Sequence, residues 1–374
     1  MKGRDKMSIF DKLQAEGFEQ VLFSYDEESG LKAITAIHDT SLGPALGGIR
    51  YWAYENEEEA LTDALRLAMG MTYKNAAAGM PLGGGKTVFI KDPNRELDEE
   101  AMFRTFGRFV EGMNGRYIPS VDVGTTTHHL DYIFQETDYV VGSNQKSGAS
   151  GNPSPSTAHG VYTGMKAGAN RVWGTDSLEG RTILLQGAGN VGLTVAEKAL
   201  AEGARVIATD LYENLKDKAR EMGCEVVEPD ELLHQKGDIY TPCALGGTVN
   251  DDTIELLKKA GVQMIAGAAN NQLAESRHGE RLKEEDILYV PDYIINSGGV
   301  IHVADEMNGG FQPERARQSV EKIYNQVEKI FELADAEDLP MNLAADRFAE
   351  QRIESIRKTK RFFSKDNRSI LDFI

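Results

Sequence analysis

The sequence predicts an α/β protein of two domains separated by a cleft, one built on a doubly wound parallel sheet and the other a further α/β domain. A chain of 374 residues is long enough for about two domains. The stretch 142–156, GSNQKSGASGNPSPS, is rich in Gly, Ser, Asn and Pro and is the best internal boundary. After it, β-rich apolar runs alternate with helical patterns, which is typical of a parallel sheet with helices on both faces.

The part before this boundary combines strands and helices. QVLFSY and LKAITAIH are β-rich, with EESG between them as a turn. Residues 57–71 are predicted to form a helix, because their apolar side chains recur every three or four positions. These are Ala60, Leu61, Ala64, Leu65, Ala68 and Met71. The glycine cluster PLGGGK then precedes a strand, TVFI, and MFRTFGRFVEGM is a second amphipathic helix.

After the boundary, strands are predicted at Thr182–Gln186, Arg205–Thr209 and 224–227, with helices at 191–202 and Glu213–Met222 between them. DIYTPCA, VQMIAGAA and ILYVPDYIIN supply further β-rich runs. Beyond Arg315 the apolar spacing predicts one long helix, followed by another at 343–358.

Composition and charge exclude several classes of protein. Lys and Arg number 41 and Asp and Glu 59, so the formal charge is −18. A surface this acidic repels phosphate backbones, and nucleic acid is not an expected partner. We find no secretory signal and no membrane-spanning segment, and the chain has two cysteines without metal-ligand spacing. We therefore expect a cytoplasmic protein without a metal site.

The segment GAGNVG carries the first chemical motif. Alone it could be a glycine-rich turn, but here it follows the strand TILLQ and precedes a helix, and Asp210 ends the next strand. In a Rossmann-type unit Gly187 makes the tight turn, Gly189 lets the backbone approach a pyrophosphate and Gly192 packs the helix on the strand. Asp210 can bind ribose hydroxyls and would repel a 2′-phosphate, so NAD is expected rather than NADP. The motif residues expected to contact the cofactor are Gly187, Ala188, Gly189, Asn190, Val191 and Gly192.

Lys74 and Lys86 are the second feature. Any single lysine is usually a surface residue, but both lie in segments of small and apolar residues, MTYKNAAAG and LGGGKTVFI. One amine can stay charged and bind a carboxylate, while burial and a cationic neighbour can lower the pKa of the other for proton transfer. Asp122, in VDVGTTT, is either a buried general base or a turn aspartate; spacing does not separate the two.

Three loops follow β-rich runs: PCALGG, GAANNQ and NSGG. In a doubly wound sheet such carboxyl-end loops line the ligand crevice. Cys243 has no base near it in sequence, so a loop role is favoured over a nucleophilic one.

In one order along the chain, LGPALGGIR, GMTYKNAAAG, LGGGKTV, VDVGTTT, SGNPSPSTAHGVY, GAGNVG, PCALGG, AGAANNQL and VPDYIINSGGVIHVADE resemble blocks of the Glu/Leu/Phe/Val amino-acid dehydrogenase family. The likeness runs from about residue 30 to 357 and is greatest to its leucine and branched-chain branch. It implies a substrate-binding and oligomerisation domain at 1–143, to which 335–374 return, and an NAD-binding domain at 144–334. It also implies NAD-dependent, reversible oxidative deamination of an L-amino acid to a 2-oxo acid and ammonia.

The resemblance further implies roles for individual residues. Lys74 would bind the substrate carboxylate, Lys86 would be the catalytic lysine, and Asp122 would assist proton transfer. Gly48 and Asn270 would contact substrate, and Thr157 and Asn270 the nicotinamide; Cys243 and Ala244 would lie at the cofactor. The positions that set side-chain preference would be Leu46, Ser120, Val300 and Val303.

Val300 favours leucine, with valine and isoleucine as further substrates, whereas Ser120 departs from the small apolar residue expected for leucine. An aromatic amino-acid dehydrogenase and a non-catalytic NAD-binding regulator therefore remain as alternatives. Glutamate is disfavoured because no cation lies among these positions. The family resemblance also implies a homo-oligomer.

Overall fold

The computed structural model describes residues 9–95 and 97–359. The first residues of the N-terminal segment examined for a signal, and residues 360–374 of the returning segment, lie outside the described part. The described residues divide into two compact units, one formed by residues up to 140 together with 349–359 and the other by residues 141–348. Residues 335–348, which the sequence grouped with the first domain, thus belong to the second unit.

The first unit contains a five-stranded sheet and four complete helices among its described residues. The strands are β1 (Gln20–Asp26), β2 (Leu31–Asp39), β3 (Ala45–Trp52), β4 (Gly83–Ile90) and β5 (Tyr117–Val121). The helices are α1 (Ile9–Glu16), α2 (Glu57–Ala77), α3 (Glu99–Gly112) and α4 (Thr127–Phe134).

The sheet of the first unit has the order β1-β2-β4-β3-β5. β1, β2 and β4 pair antiparallel, whereas β3 is parallel to both β4 and β5. Both faces of the sheet are covered, because consecutive residues of a strand point to opposite faces. Val88 packs with the apolar face of α2, and its neighbour Phe89 packs against Phe103 and Phe106 of α3.

The second unit contains a six-stranded sheet. Its strands are β6 (Thr182–Gln186), β7 (Arg205–Thr209), β8 (Glu225–Val226), β9 (Ile239–Pro242), β10 (Met264–Ile265) and β11 (Leu288–Tyr289). Its helices are α5 (Ser154–Trp173), α6 (Asn190–Ala201), α7 (Glu213–Met222), α8 (Asp251–Ala260), α9 (Arg277–Glu284), α10 (Asp292–Ile295), α11 (Gly298–Ala304), α12 (Pro313–Glu321), α13 (Ile323–Glu337) and α14 (Met341–Thr359), which ends among residues of the first unit.

All strand pairs of this second sheet are parallel, in the order β8-β7-β6-β9-β10-β11. Counted from β6, the order is 3-2-1-4-5-6, the arrangement of a Rossmann-type sheet. From β6 the following strands are added on one side as far as β8, and from β9 they are added on the other side of β6. Ligands of such sheets bind at the carboxyl ends of the two strands where this order reverses, here β6 and β9. The predicted fold class is confirmed.

The helix α5 has no counterpart in the sequence prediction. Gly160, Gly164 and Gly168 recur every four residues on one face of this helix, and methyl groups there would contact or overlap atoms of β10, α10 and the segment between β11 and α10. The helix packs closely on its neighbours because these positions carry no side chain. A search for apolar residues at helical spacing therefore does not find it.

Three segments differ from their predicted structure. ILYVPDYIIN ends as a strand before Pro291, which has no backbone N–H for the ladder and immediately precedes α10. The NSGG loop contains the start of α11, and the long helix predicted beyond Arg315 is interrupted at Lys322, between α12 and α13.

Within 9–95 and 97–359, none of the helices combines the length and apolar character needed to cross a bilayer.

Candidate active site

Two consecutive glycines on β3 allow a close approach of the neighbouring chain segments. A methyl group added at Gly47 would overlap the backbone carbonyl of Gly85 on β4. One added at Gly48 would lie 2.7 Å from Cβ of Asp122, the residue after β5. Because β3 carries no side chain at this point, Lys86 on β4 reaches Asp122 across it.

Lys86 and Asp122 form an ion pair, with 2.7 Å between Nζ and Oδ2. Lys86 is only 4% exposed, and burial lowers the pKa of its amine below the ordinary value, although the carboxylate acts in the opposite direction. Burial alone would raise the pKa of Asp122, but the charges of Lys86 and Arg50 hold it below its usual range. The pair therefore combines a carboxylate that stays ionised with an amine that loses its proton more readily than a surface lysine.

The ion pair extends to two residues that the sequence analysis did not single out. On β3, Arg50 donates from Nε to Oδ2 of Asp122 at 3.0 Å and from Nη1 to Oδ2 of Asp63 on α2 at 2.8 Å. The available signal was Arg50, the charged residue within ALGGIRYW, a strand otherwise made of small, apolar and aromatic residues.

The other predicted residues of the first unit lie on the same elements. Leu46 is fully buried on β3, and Ser120 on β5 is the register partner of Gly48. Lys74 is half-buried in the last turn of α2, the helix that packs on β4. Three adjacent strands, the residue after β5 and one helix thus carry the predicted set: Leu46, Gly48, Lys74, Lys86, Ser120 and Asp122.

In the second unit, GAGNVG forms the turn between β6 and α6. Gly187 has a φ of 99°, which side-chain-bearing residues rarely adopt. A methyl group at Gly192 would overlap the carbonyl of Gly187, so α6 packs directly on the turn. At Gly189 a methyl group would meet no described atom within 4 Å. This leaves space beside the N–H groups of the first helical turn, where Asn190 and Val191 begin α6.

Asp210 follows β7 and accepts two backbone hydrogen bonds. Its Oδ2 accepts from the N–H of Ala188 at 2.8 Å and its Oδ1 from the N–H of Tyr212 at 3.0 Å. The carboxylate thus organises both the glycine turn and the approach to α7. Because a carboxylate offers about four lone-pair positions, it retains capacity for further donors. The ribose-acceptor role expected from the sequence is therefore compatible with these two backbone contacts.

Cys243 and Ala244 follow β9, the strand next to β6. The N–H of Cys243 donates to the carbonyl of Gln186 at 2.7 Å, and a methyl group at Gly187 would lie 2.8 Å from Cβ of Ala244. Burial raises the pKa of the Cys243 thiol to about 12, so the thiol stays protonated near neutral pH. This supports the loop role over a nucleophilic one.

The remaining predicted residues lie on three segments of the second unit. Asn270 follows β10, and its Oδ1 accepts from Nδ2 of Asn296 at 2.9 Å. Thr157 is in the first turn of α5, and Val300 and Val303 are on α11, which packs on α5. Asn296 belongs to the NSGG segment, and no role of its own is predicted for it from the sequence.

Comparison with known proteins identifies the family. Residues 18–139 match the profile described as "Glu/Leu/Phe/Val dehydrogenase, dimerisation domain", and residues 209–361 match "Glutamate/Leucine/Phenylalanine/Valine dehydrogenase". The two matches together span well over half of the chain. It belongs to the Glu/Leu/Phe/Val dehydrogenase family. The resemblance inferred from the sequence is thereby confirmed.

Curated relatives agree with this assignment. Leucine dehydrogenase from Bacillus subtilis (strain 168) is 55% identical over 98% of this chain and 99% of the relative. The leucine dehydrogenase of Geobacillus stearothermophilus is 54% identical, and the phenylalanine dehydrogenase of Lysinibacillus sphaericus 44% identical over 96% of this chain and 94% of the relative. This Glu/Leu/Phe/Val dehydrogenase is therefore an amino-acid dehydrogenase, an oxidoreductase, and the non-catalytic alternative is set aside. Members of the family are generally NAD(P)-dependent.

Solved structures share the fold. The L-tryptophan dehydrogenase from Nostoc punctiforme is 41% identical, with a TM-score of 0.83 over 94% of this chain and 100% of that chain. A hetero-hexameric glutamate dehydrogenase from Thermus thermophilus has a TM-score of 0.72 at 23% identity, covering 89% of this chain and 86% of that chain.

Proposed function

We propose that this dehydrogenase catalyses the NAD-dependent, reversible oxidative deamination of a branched-chain L-amino acid, leucine together with valine and isoleucine, to the 2-oxo acid and ammonia. The observation that carries the proposal is the ion pair between the buried Lys86 and the half-buried Asp122 beside Gly48. A buried lysine with a depressed pKa next to an ionised carboxylate is suited to exchanging protons near neutral pH.

In this mechanism Lys74 binds the substrate carboxylate through a charge-assisted contact and holds the amino acid in register. Loss of hydride from Cα leaves an iminium ion, which water attacks. Lys86 accepts the proton of that water as the new C–O bond forms. Asp122 keeps Lys86 in place and relays this proton to the amino nitrogen of the resulting carbinolamine. The carbinolamine then collapses: Lys86 takes the proton of the hydroxyl group, the oxygen forms the carbonyl of the 2-oxo acid, and the C–N bond breaks to release ammonia.

The second unit contains residues that fit a bound dinucleotide. The space beside Gly189 and the N-terminal turn of α6 suit a pyrophosphate, and Asp210 retains acceptor capacity for ribose hydroxyls. Thr157, Cys243, Ala244 and Asn270 are proposed to complete the cofactor site. NAD, when bound, supplies the acceptor for the hydride that leaves the substrate.

The preference for an aliphatic side chain rests on two observations. Leucine dehydrogenases are 52–55% identical to this chain, whereas phenylalanine dehydrogenases are 44% identical. Leu46, Val300 and Val303 are apolar, and they and Ser120 offer no cation for a second carboxylate. The hydroxyl of Ser120 is the feature that favours the second candidate, an aromatic L-amino-acid dehydrogenase with the same mechanism.

Further parts of the proposal concern organisation. The first unit would bind substrate and mediate a homo-oligomer, which agrees with its match to the dimerisation domain of the family. The second unit would bind NAD. We also propose a cytoplasmic location, because both cysteines are free thiols, as expected in a reducing compartment.

The test is a spectrophotometric assay of NAD and NADP reduction with L-leucine, L-valine, L-isoleucine, L-phenylalanine and L-glutamate. We expect the highest kcat/KM with leucine and NAD, and oxidation of NADH in the presence of the corresponding 2-oxo acid and ammonia. A higher kcat/KM for phenylalanine than for leucine would establish the aromatic alternative. Lys86→Ala is the matched inactive control, since it changes no residue of the second unit.

A further inference from the structure

Arg50 connects the proposed catalytic pair to a second acidic residue. Its side chain is 21% exposed and binds Asp122 through Nε and Asp63 through Nη1. Arg50 is two residues beyond Gly48 on β3, the strand between those that carry Lys86 and lead to Asp122. It therefore approaches Asp122 from the same strand whose glycines open the path for Lys86.

The two cations bind the same oxygen of Asp122. Nζ of Lys86 lies 2.7 Å and Nε of Arg50 3.0 Å from Oδ2. In the described part of the chain Oδ1 makes no hydrogen bond, while the Asp122 side chain is 24% exposed. We infer that Arg50 is a positioning residue of this enzyme: by holding Oδ2 it fixes the carboxylate so that Oδ1 is the oxygen left for proton exchange.

The position of Arg50 is itself set from α2. Oδ2 of Asp63 accepts from Arg50 and from the hydroxyl of Tyr54, each at 2.8 Å, and its Oδ1 accepts from Nη2 of Arg66 at 2.8 Å. A lysine cannot reproduce this arrangement, because a guanidinium donates along two fixed directions whereas an ammonium is a point charge. Among the described residues Arg66 is hydrogen-bonded to Asp63 and not to Asp122, so it supplies a matched control on the same network.

Arg50 also affects the charge state of Lys86. The charged groups that act on Lys86 are Asp122 after β5, Arg50 on β3 and Asp63 on α2. Burial and the positive charge of Arg50 lower the pKa of the Lys86 amine, whereas the two carboxylates raise it. Removing the Arg50 charge should therefore raise the pKa of Lys86, so that the neutral amine becomes available only at higher pH.

This inference rests on the proposed role of Lys86, and the experiment separates the two. We would measure kcat and kcat/KM for L-leucine from about pH 7 to 11 at saturating NAD in the wild type, Arg50→Gln and Arg66→Gln. The acid limb of each pH profile, where the rate rises with pH, reports the pKa of a group that must lose its proton. Ionisation of the free amino acid is the same for all three proteins, so a displaced acid limb reports a changed pKa of the enzyme. Arg50→Gln should lower kcat and move the acid limb upward by roughly one pH unit, since two cations on one oxygen interact strongly. Arg66→Gln should leave the limb in place.

An Arg50→Gln enzyme with the wild-type acid limb would overturn the inference, as would an equal shift in Arg66→Gln. Thermal melting and NAD titration establish that each variant is folded. If Arg50→Gln does not fold, Arg50→Lys carries the test: it should lower kcat while the KM for NAD stays unchanged, and a wild-type kcat would refute the positioning role. Retained activity of Lys86→Ala would instead refute the proposed mechanism itself.

Discussion

Replacing Gly189 by alanine should weaken dinucleotide binding without weakening the fold. A methyl group there meets no described atom within 4 Å, and the φ of −74° is ordinary for any residue. The same change at Gly192 is the matched control, because its methyl group would overlap the carbonyl of Gly187. The two substitutions add the same group to one loop, but only the first places it in open space.

The magnitudes follow from these surroundings. At Gly189 the less favourable alanine N-cap costs about 0.5–1 kcal/mol, and the smaller entropy of the unfolded chain offsets this by about 0.4–1 kcal/mol. At Gly192 overpacking against backbone costs about 1–3 kcal/mol, which lowers the Tm of a unit of this size by roughly 2–12 °C. If the methyl group at residue 189 displaces one or two hydrogen bonds to phosphate, at about 1.5 kcal/mol each, the Kd for NAD rises about 10- to 100-fold.

Calorimetry of the protein without cofactor gives the Tm, and isothermal titration with NAD gives the Kd. The expected result is a Gly189→Ala variant with the wild-type Tm and weakened NAD binding, and a Gly192→Ala variant with a lowered Tm. Wild-type affinity for NAD in Gly189→Ala would refute the assignment of this space to the pyrophosphate. An unchanged Tm in Gly192→Ala would refute the steric argument.

Three further substitutions test the proposed roles. Lys86→Ala should lower kcat by about 10²–10⁴-fold while NAD titration shows unchanged binding; near-normal turnover would remove Lys86 from the mechanism. Lys74→Ala should mainly raise the KM for the amino acid, because the substrate carboxylate loses its charged partner, and an unchanged KM would contradict that role. Asp210→Ser should narrow the preference for NAD over NADP. The Asp210 carboxylate and a 2′-phosphate at about 4 Å repel by about 4 kcal/mol at an effective dielectric constant of 20. If the ratio of kcat/KM with NAD to kcat/KM with NADP is the same in mutant and wild type, Asp210 has a structural role only.

Local sequence signals predicted the second unit well. The turn, helix and acid of the GAGNVG segment lie within 24 residues of one another, so their spacing alone specifies a βαβ unit. Segments that depend on packing were predicted less well. The small-residue face of α5 and the strand position of Gly83–Gly85 carry no apolar periodicity, because their close contacts depend on which chain segment approaches them.

The sequence by itself determined the two-domain α/β class and the dinucleotide motif, and it supplied the two lysines and the aspartate as candidates, because each of these signals is carried by residues close together in the chain. Only the tertiary structure decided how Lys86 and Asp122 meet, since they are far apart in sequence and come together where Gly47 and Gly48 leave space between β4 and the end of β5. It also decided the part played by Arg50. An arginine in a strand has the same sequence signal whether it faces solvent or a half-buried carboxylate, and only the register of β3 with its neighbours places Arg50 on Asp122.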